Sequence, residues 1–324
     1  MKKQDRRIYV SLINRIAFVL LFNQGLILFL PKILNSFKNI PDMVYLLLEC
    51  AVYFLAFFLP VILFNKMNKN SQKEVYEPKD SDKKSPLYVA ILFGIGLVLI
   101  YCSSFVNYFL VGLFTDYSQF SSEFLWFVEL KYPYQMVIYF ISYAIIPAFV
   151  EEILFRGTVC RVLTVYGKTT AVVVSAILFA LMHTNIEQML YTFVAGLFFG
   201  LLYVESKSIL APILLHLLNN SISVFGEILY QNALPSVYEA YISLTDVFTL
   251  LIGLMSFLGL FGYIKKKKIT FSKVIEMKPD ENGNDVLPLS VGERISGFFS
   301  ASMVIFIAYC VAIMSYYVYL SVIL

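Results

Sequence analysis

The chain has 324 residues, of which 59% are hydrophobic, 17% aromatic and only 15% charged, with a formal net charge of +3. Soluble domains run nearer half apolar and a quarter charged, so this composition excludes an ordinary soluble globule, and the near-neutral balance gives no support for a nucleic-acid partner. The apolar residues come in runs near the roughly 20 residues that cross a bilayer, without the alternation of a transmembrane barrel, so the expected fold is an all-α, polytopic transmembrane helical bundle.

Along the chain, Lys2, Lys3, Arg6 and Arg7 precede an apolar run that Asn23 and Gln24 interrupt. No small-residue cleavage site follows, so the run reads as an uncleaved first helix and not as a signal peptide. Nine apolar helices are expected, over about 12–30, 43–65, 87–114, 134–156, 170–184, 189–204, 209–226, 244–264 and 298–322. The fifth, sixth and seventh are short, so each either crosses the membrane or sits tilted or half-inserted, which gives about eight or nine spans. Basic residues mark cytoplasmic loops. Lys66, Lys69, Lys73, Lys79, Lys83 and Lys84 follow helix two, Arg156, Arg161 and Lys168 follow helix four, Lys207 follows helix six, and Lys265 to Lys268 follow helix eight. If every helix crosses, all of these fall on the side of the N-terminus, which is then cytoplasmic, and the C-terminus lies outside. The opposite loops carry Asp42, Asp116, Glu123, Glu129, Glu187, Glu227, Glu239 and Asp246.

Two polar stretches, 66–86 and 265–297, read as cytoplasmic loops, and Lys265 to Lys268 read as an interfacial anchor facing anionic lipid. The cysteines, Cys50, Cys102, Cys160 and Cys310, show no paired or metal-ligand spacing and read as small core residues. Glu49, within helix two, is an unpaired carboxylate that is expected to snorkel to the outer interface.

The informative charges lie inside the apolar helices, where titratable groups are costly and count as functional-site candidates. Helix four carries Glu151, Glu152 and Arg156. Successive helical residues point about 100° apart, so the two glutamates have different tasks. Glu152 and Arg156 have the favourable i,i+4 order for an ion pair, which leaves Glu151 to hold or deprotonate a water. On helix five, Phe179 and His183 share a face, so the ring can restrict the imidazole. On helix seven, His216 and Asn220 are one turn apart and together suit an oxyanion, while Asn219 points away toward a neighbouring helix. His183 and His216 are the only histidines in the chain. Gly196 and Gly200 on helix six form the small-residue spacing that lets helices approach closely, drawing helices five and seven together around helix six.

These three motifs, Glu-Glu-x-x-x-Arg, Phe-x-x-x-His and His-x-x-x-Asn in this order on successive membrane helices, resemble those of the CPBP intramembrane proteases. That family is also known as the CAAX-processing and bacteriocin-immunity (Abi) family, and includes the type II CAAX prenyl endopeptidases. The resemblance covers roughly residues 134–226, which would be the catalytic core, with helices of 1–133 and 227–324 flanking it. It implies a peptide-bond hydrolase in which Glu151 and His183 activate water, His216 and Asn220 stabilise the oxyanion, and Glu152, Arg156 and Phe179 support the site. A glutamate-type mechanism without cofactor is expected; zinc, held by Glu151, His183 and His216, is the alternative. The implied partners are the lipid bilayer and a peptide or membrane-anchored protein substrate, reached from the cytoplasmic side of a bacterial plasma membrane, with the oligomeric state left open. CAAX-type processing, pheromone or bacteriocin maturation and self-immunity all fit. Two rival readings are a non-catalytic immunity or binding protein, which Glu151→Ala would leave functional, and a proton-coupled carrier, against which the lack of related halves argues.

Overall fold

The computed structural model describes residues 2–36, 41–68, 84–113, 130–267 and 289–323. Most of the two polar stretches, together with Lys268, Asp116, Glu123 and Glu129, lies outside these residues. The described residues form ten helices and no strand, as expected where lipid offers no partner for a backbone group. These are α1 (Lys2–Ser36), α2 (Asp42–Met67), α3 (Pro86–Gly112), α4 (Pro133–Tyr166), α5 (Lys168–Met182), α6 (Ile186–Ser206), α7 (Leu210–Asn232), α8 (Pro235–Lys267), α9 (Val291–Phe298) and α10 (Ala301–Ile323). Seven are long and apolar enough to cross a membrane; α5 is shorter, and α9 and α10 form a pair bent by 63°. Each of the nine expected helices has its counterpart. The expected 265–297 loop differs at its end, where α9 folds, started by a capping box between Ser290 and Glu293.

The largest departure is α4. The expected end at residue 156 rested on Arg156 as a loop cation, but Arg156 is fully buried and the helix runs on to Tyr166. It accommodates two π-helical turns, Ile141–Ile145 and Phe155–Cys160, a distortion often found at functional sites. The glutamates therefore sit mid-helix and not at a helix end. Gly167, at φ +105°, makes the reversal into α5, in a region open to glycine.

Cross-links place one set of helix ends together. Arg15 Nη1 donates to Asn68 Oδ1 at 2.7 Å, Lys84 N to Glu205 O at 3.1 Å, and Arg294 Nη1 to Tyr166 O at 2.6 Å; Lys168 pairs with Glu205 at 3.8 Å. The start of α3 and α5 and the end of α2, α4 and α6 thus share a face, which is the alternation that the loop charges call for. The polar interruption in α1 turns inward: Asn23 Nδ2 donates to Ala56 O at 2.8 Å and Gln24 Nε2 to Met182 O at 2.6 Å.

Two expectations about single residues change. Cys160 and Cys310 are buried, but Cys50 is half-buried and Cys102 exposed. Glu49 does not snorkel: its Oε2 is enclosed and has no hydrogen-bond partner.

Candidate active site

Helix register brings the candidate residues together. Glu151 lies sixteen residues before Gly167 and His183 sixteen after it, while Phe155 and Phe179 each lie twelve away. Antiparallel helices joined at Gly167 therefore set these pairs side by side, and the Phe155 and Phe179 rings do meet edge-on at 5.1 Å. Both Glu151 and His183 then lie about 24 Å along their helices from this turn. The α6–α7 turn does the same for a second pair. Phe199 is eight residues before Lys207 and His216 eight after Ser208, and their rings stack at 4.8 Å with 17° between planes.

The helices close tightly. A Cβ on Gly196 would lie 2.8 Å from Ala176 Cα, and one on Gly200 3.2 Å from Val172 Cγ1. The glycine pair thus seats α6 on α5; it is the ring of Phe199, on the same helix, that reaches α7.

At the centre, Arg156 and Glu152 form the expected ion pair, Nη1 to Oε1 at 2.9 Å, with both side chains fully buried. The second guanidinium nitrogen, Nη2, donates to Gly196 O at 3.0 Å. Phe179 and Phe199 cover the guanidinium at 4.6 and 5.0 Å, a cation–π cage whose strength rises as water is excluded. Glu152 Oε1 also lies 3.0 Å from His216 Nδ1. Glu152 is therefore more than a neutralised partner of Arg156: it fixes the His216 ring and turns Nε2 away from itself. That Nε2 lies 3.9 Å from Glu151 Oε2, too far for a direct hydrogen bond. Glu151 Oε2 has no hydrogen-bond partner, whereas its Oε1 accepts from Tyr53 of α2 at 2.5 Å.

His183 caps the end of α5. Its Nδ1 lies 2.8 Å from Phe179 O, and its ring meets Phe179 edge-on at 4.8 Å, so the expected restriction by Phe179 is in place. With a proton on Nδ1 for that carbonyl, Nε2 carries a lone pair. The Phe179 ring also reaches His216, centroids 6.0 Å apart, so one aromatic side chain touches Arg156, His183 and His216. Asn220 is half-buried one turn beyond His216. Its Oδ1 accepts from Asn219 Nδ2 at 3.2 Å, so Asn219 bonds its neighbour on α7 and not another helix.

Among the described residues, no three His, Cys, Asp or Glu side chains group as a metal site requires. Sequence reasoning missed Tyr53, Phe199 and Phe155, which carry no charge to set them apart in an apolar helix, and saw Gln24 only as a polar break without its acceptor.

Residues 133–222 match the family model described as type II CAAX prenyl endopeptidase Rce1-like. This segment holds α4, α5, α6 and the half of α7 with His216 and Asn220. A protein of Staphylococcus aureus (strain USA300), named membrane-embedded CAAX protease MroQ, is 29% identical over 252 residues, covering 72% of this chain and 95% of that protein. No solved structure matches. Over the segment that brings these carboxylates and histidines together inside a multi-pass bundle, the chain is similar to the type II CAAX prenyl endopeptidases, and over 72% of its length to a membrane-embedded CAAX protease.

Proposed function

We propose that the chain is an endopeptidase in which Glu151 acts as the general base on a water and hydrolyses a peptide bond within the membrane-embedded site. The observation that carries this is the facing pair Glu151 Oε2 and His216 Nε2, 3.9 Å apart. The other end of each group is already held, by Tyr53 and by Glu152. Two fixed polar atoms that face each other without bonding can both reach one water or one carbonyl oxygen set to the side of the line that joins them. Glu151 takes a proton from the water, whose oxygen attacks the scissile carbonyl, and the proton passes on to the leaving amine. His183 Nε2 is the second acceptor that orients the water. Two carboxylates against one guanidinium leave one negative charge in the buried set, and an imidazolium at His216 balances it. In that form His216 donates from Nδ1 to Glu152 and from Nε2 to the developing oxyanion, with the Asn220 amide as the second donor. The substrate is a membrane-associated protein or peptide, and it reaches the site from the face that carries Arg15, Lys66, Lys168 and Arg294, taken as cytoplasmic from its positive charge.

The test is cleavage of a quenched peptide by protein purified in detergent, comparing wild type, Glu151→Ala and His216→Ala with and without a strong zinc chelator. Glu151→Ala is expected to lower kcat by about 10² to 10⁴ and His216→Ala by about 10² to 10³, with no effect of chelator. Loss of activity to chelator and its return with zinc would recast Glu151, His183 and His216 as metal ligands. Activity unchanged in both variants would mean that the cluster is structural and the hydrolytic reading wrong.

A further inference from the structure

We infer that Tyr53 of α2 is a positioning residue of the catalytic unit: it pins one oxygen of Glu151 so that the other stays aimed at the gap in front of His216. The inference rests on the reading of Glu151 as the base, and it places part of the working site outside the segment that the family model matches.

The Tyr53 hydroxyl donates to Glu151 Oε1 at 2.5 Å, while Oε2 is left without a partner. A carboxylate turns about its last torsion with little preference. Untied, Glu151 would swing, and the 3.9 Å separation from His216 Nε2 would close to a direct hydrogen bond. Base and oxyanion donor would then satisfy each other and no longer act on substrate. The Tyr53 hydrogen bond holds them apart.

The tyrosine is itself held. α2 packs along Ile146–Leu154, the stretch of α4 that bears the glutamates. Three residues before Tyr53, Cys50 Sγ meets Ser142 Oγ of α4 at 2.7 Å. Three residues after it, Ala56 O accepts from Asn23 of α1 at 2.8 Å. The ring lies 4.9 Å from Phe57. Tyr53 is thus bracketed along its helix by ties to both neighbours, the kind of support that keeps a reactive group within a fraction of an ångström of its working geometry.

The test uses the full-length protein in detergent and a quenched peptide cleaved by wild type. Tyr53→Phe keeps the ring and removes only the hydroxyl. A hydrogen bond to a charged group supports about a 10- to 100-fold fall in kcat, with KM within about twofold because uniform binding is untouched. Phe54→Leu, on the exposed side of the same helix, is expected to leave both unchanged. Melting temperatures of wild type, Tyr53→Phe, Glu151→Ala and the double variant form a second readout that needs no substrate. If the two side chains act as a pair, the double variant falls by less than the two single losses combined. Wild-type kcat in Tyr53→Phe overturns the positioning role even where Glu151→Ala is inactive, so the hydrolytic reading survives that result. Additive melting shifts overturn the pair itself, whether or not any peptide is cleaved.

Discussion

Arg156 offers the sharpest test of how the site is held. It is fully buried, bonded through one nitrogen to Glu152 at 2.9 Å and through another to Gly196 O at 3.0 Å, and covered by two rings. Arg156→Met keeps most of the apolar volume and removes the charge. Glu152 is then an uncompensated carboxylate, for which breaking one side of a buried pair costs about 3–5 kcal/mol. The cage adds about 1–2 kcal/mol when desolvated. His216 Nδ1, 3.0 Å from the same oxygen, offsets part of the loss, so the expected cost is about 3 kcal/mol, the low end of the range for a broken buried pair. Arg156→Lys keeps the charge for Glu152 but cannot fork to Gly196 O, and is expected to cost about 1–2 kcal/mol. In Arg156→Met with Glu152→Gln no unpaired charge remains, so this double variant should recover at least about 1 kcal/mol over Arg156→Met alone. Reversible unfolding in mixed micelles with increasing SDS measures all three against wild type. A loss below about 1 kcal/mol for Arg156→Met, or a double variant as weak as the two single losses combined, would refute a charged, mutually dependent pair.

Two further predictions concern the frame around the site. Gly196→Ala would drive a Cβ to 2.8 Å from Ala176 Cα, backbone that cannot move aside, and is expected to cost about 1–3 kcal/mol. Gly200→Ala meets only a valine side chain at 3.2 Å and should cost less, while Gly262→Ala, with nothing within 4 Å, should be neutral or stabilising by up to about 1 kcal/mol; thermal unfolding ranks the three, and equal losses would disprove the close α5–α6 contact. Gln24→Leu removes the donor to Met182 O and is expected to cost about 1 kcal/mol and to lower kcat, because that carbonyl adjoins His183; unaltered unfolding and turnover would show that the α1 tie is idle.

The buried polar cluster was legible in the sequence because bilayer helices have little reason to carry charge. Glu151, Glu152, Arg156, His183 and His216 stand out against apolar neighbours, and i,i+4 spacing alone predicts the Glu152–Arg156 pair and the Phe179–His183 contact. The same rule misled at Arg156. A cation near the end of an apolar run signals a loop, unless a carboxylate one turn back and two rings from other helices absorb it, and those rings are contributed from a distance in the chain. Tyr53 was not legible for a different reason. The chain has 23 tyrosines, amphipathic residues at home in a membrane helix, and nothing local separates the one that meets Glu151. Asn23 and Gln24 were visible as polar breaks in α1, but their acceptors are carbonyls, which every residue has, so sequence names the donor and not the partner.

The helices outside the matched segment divide by what their polar atoms reach. α1 and α2 send side chains inward, Gln24 to the carbonyl beside His183 and Tyr53 to Glu151. α8 meets α3 through small residues, Gly253 with a built Cβ 2.7 Å from Val98 Cβ, and through the Tyr101–Asp246 hydrogen bond; its Tyr241 reaches only Ile222 O near the middle of α7, and it turns Met255, Leu258 and Phe261 outward. Apolar outward faces have no hydrogen-bond partner to specify and tolerate any residue that lipid tolerates, whereas the donors of α1 and α2 each answer to one acceptor. Exchanging exposed residues of α8 among Leu, Ile and Phe should therefore leave the site as it is, while a change of one hydroxyl or one amide on α1 or α2 reaches His183 or Glu151 through a single hydrogen bond. α1 and α2 therefore belong with α4 to α7 in the working unit, and a shortened chain that begins at α4 would keep every motif residue yet lose the hydrogen bond that holds Glu151.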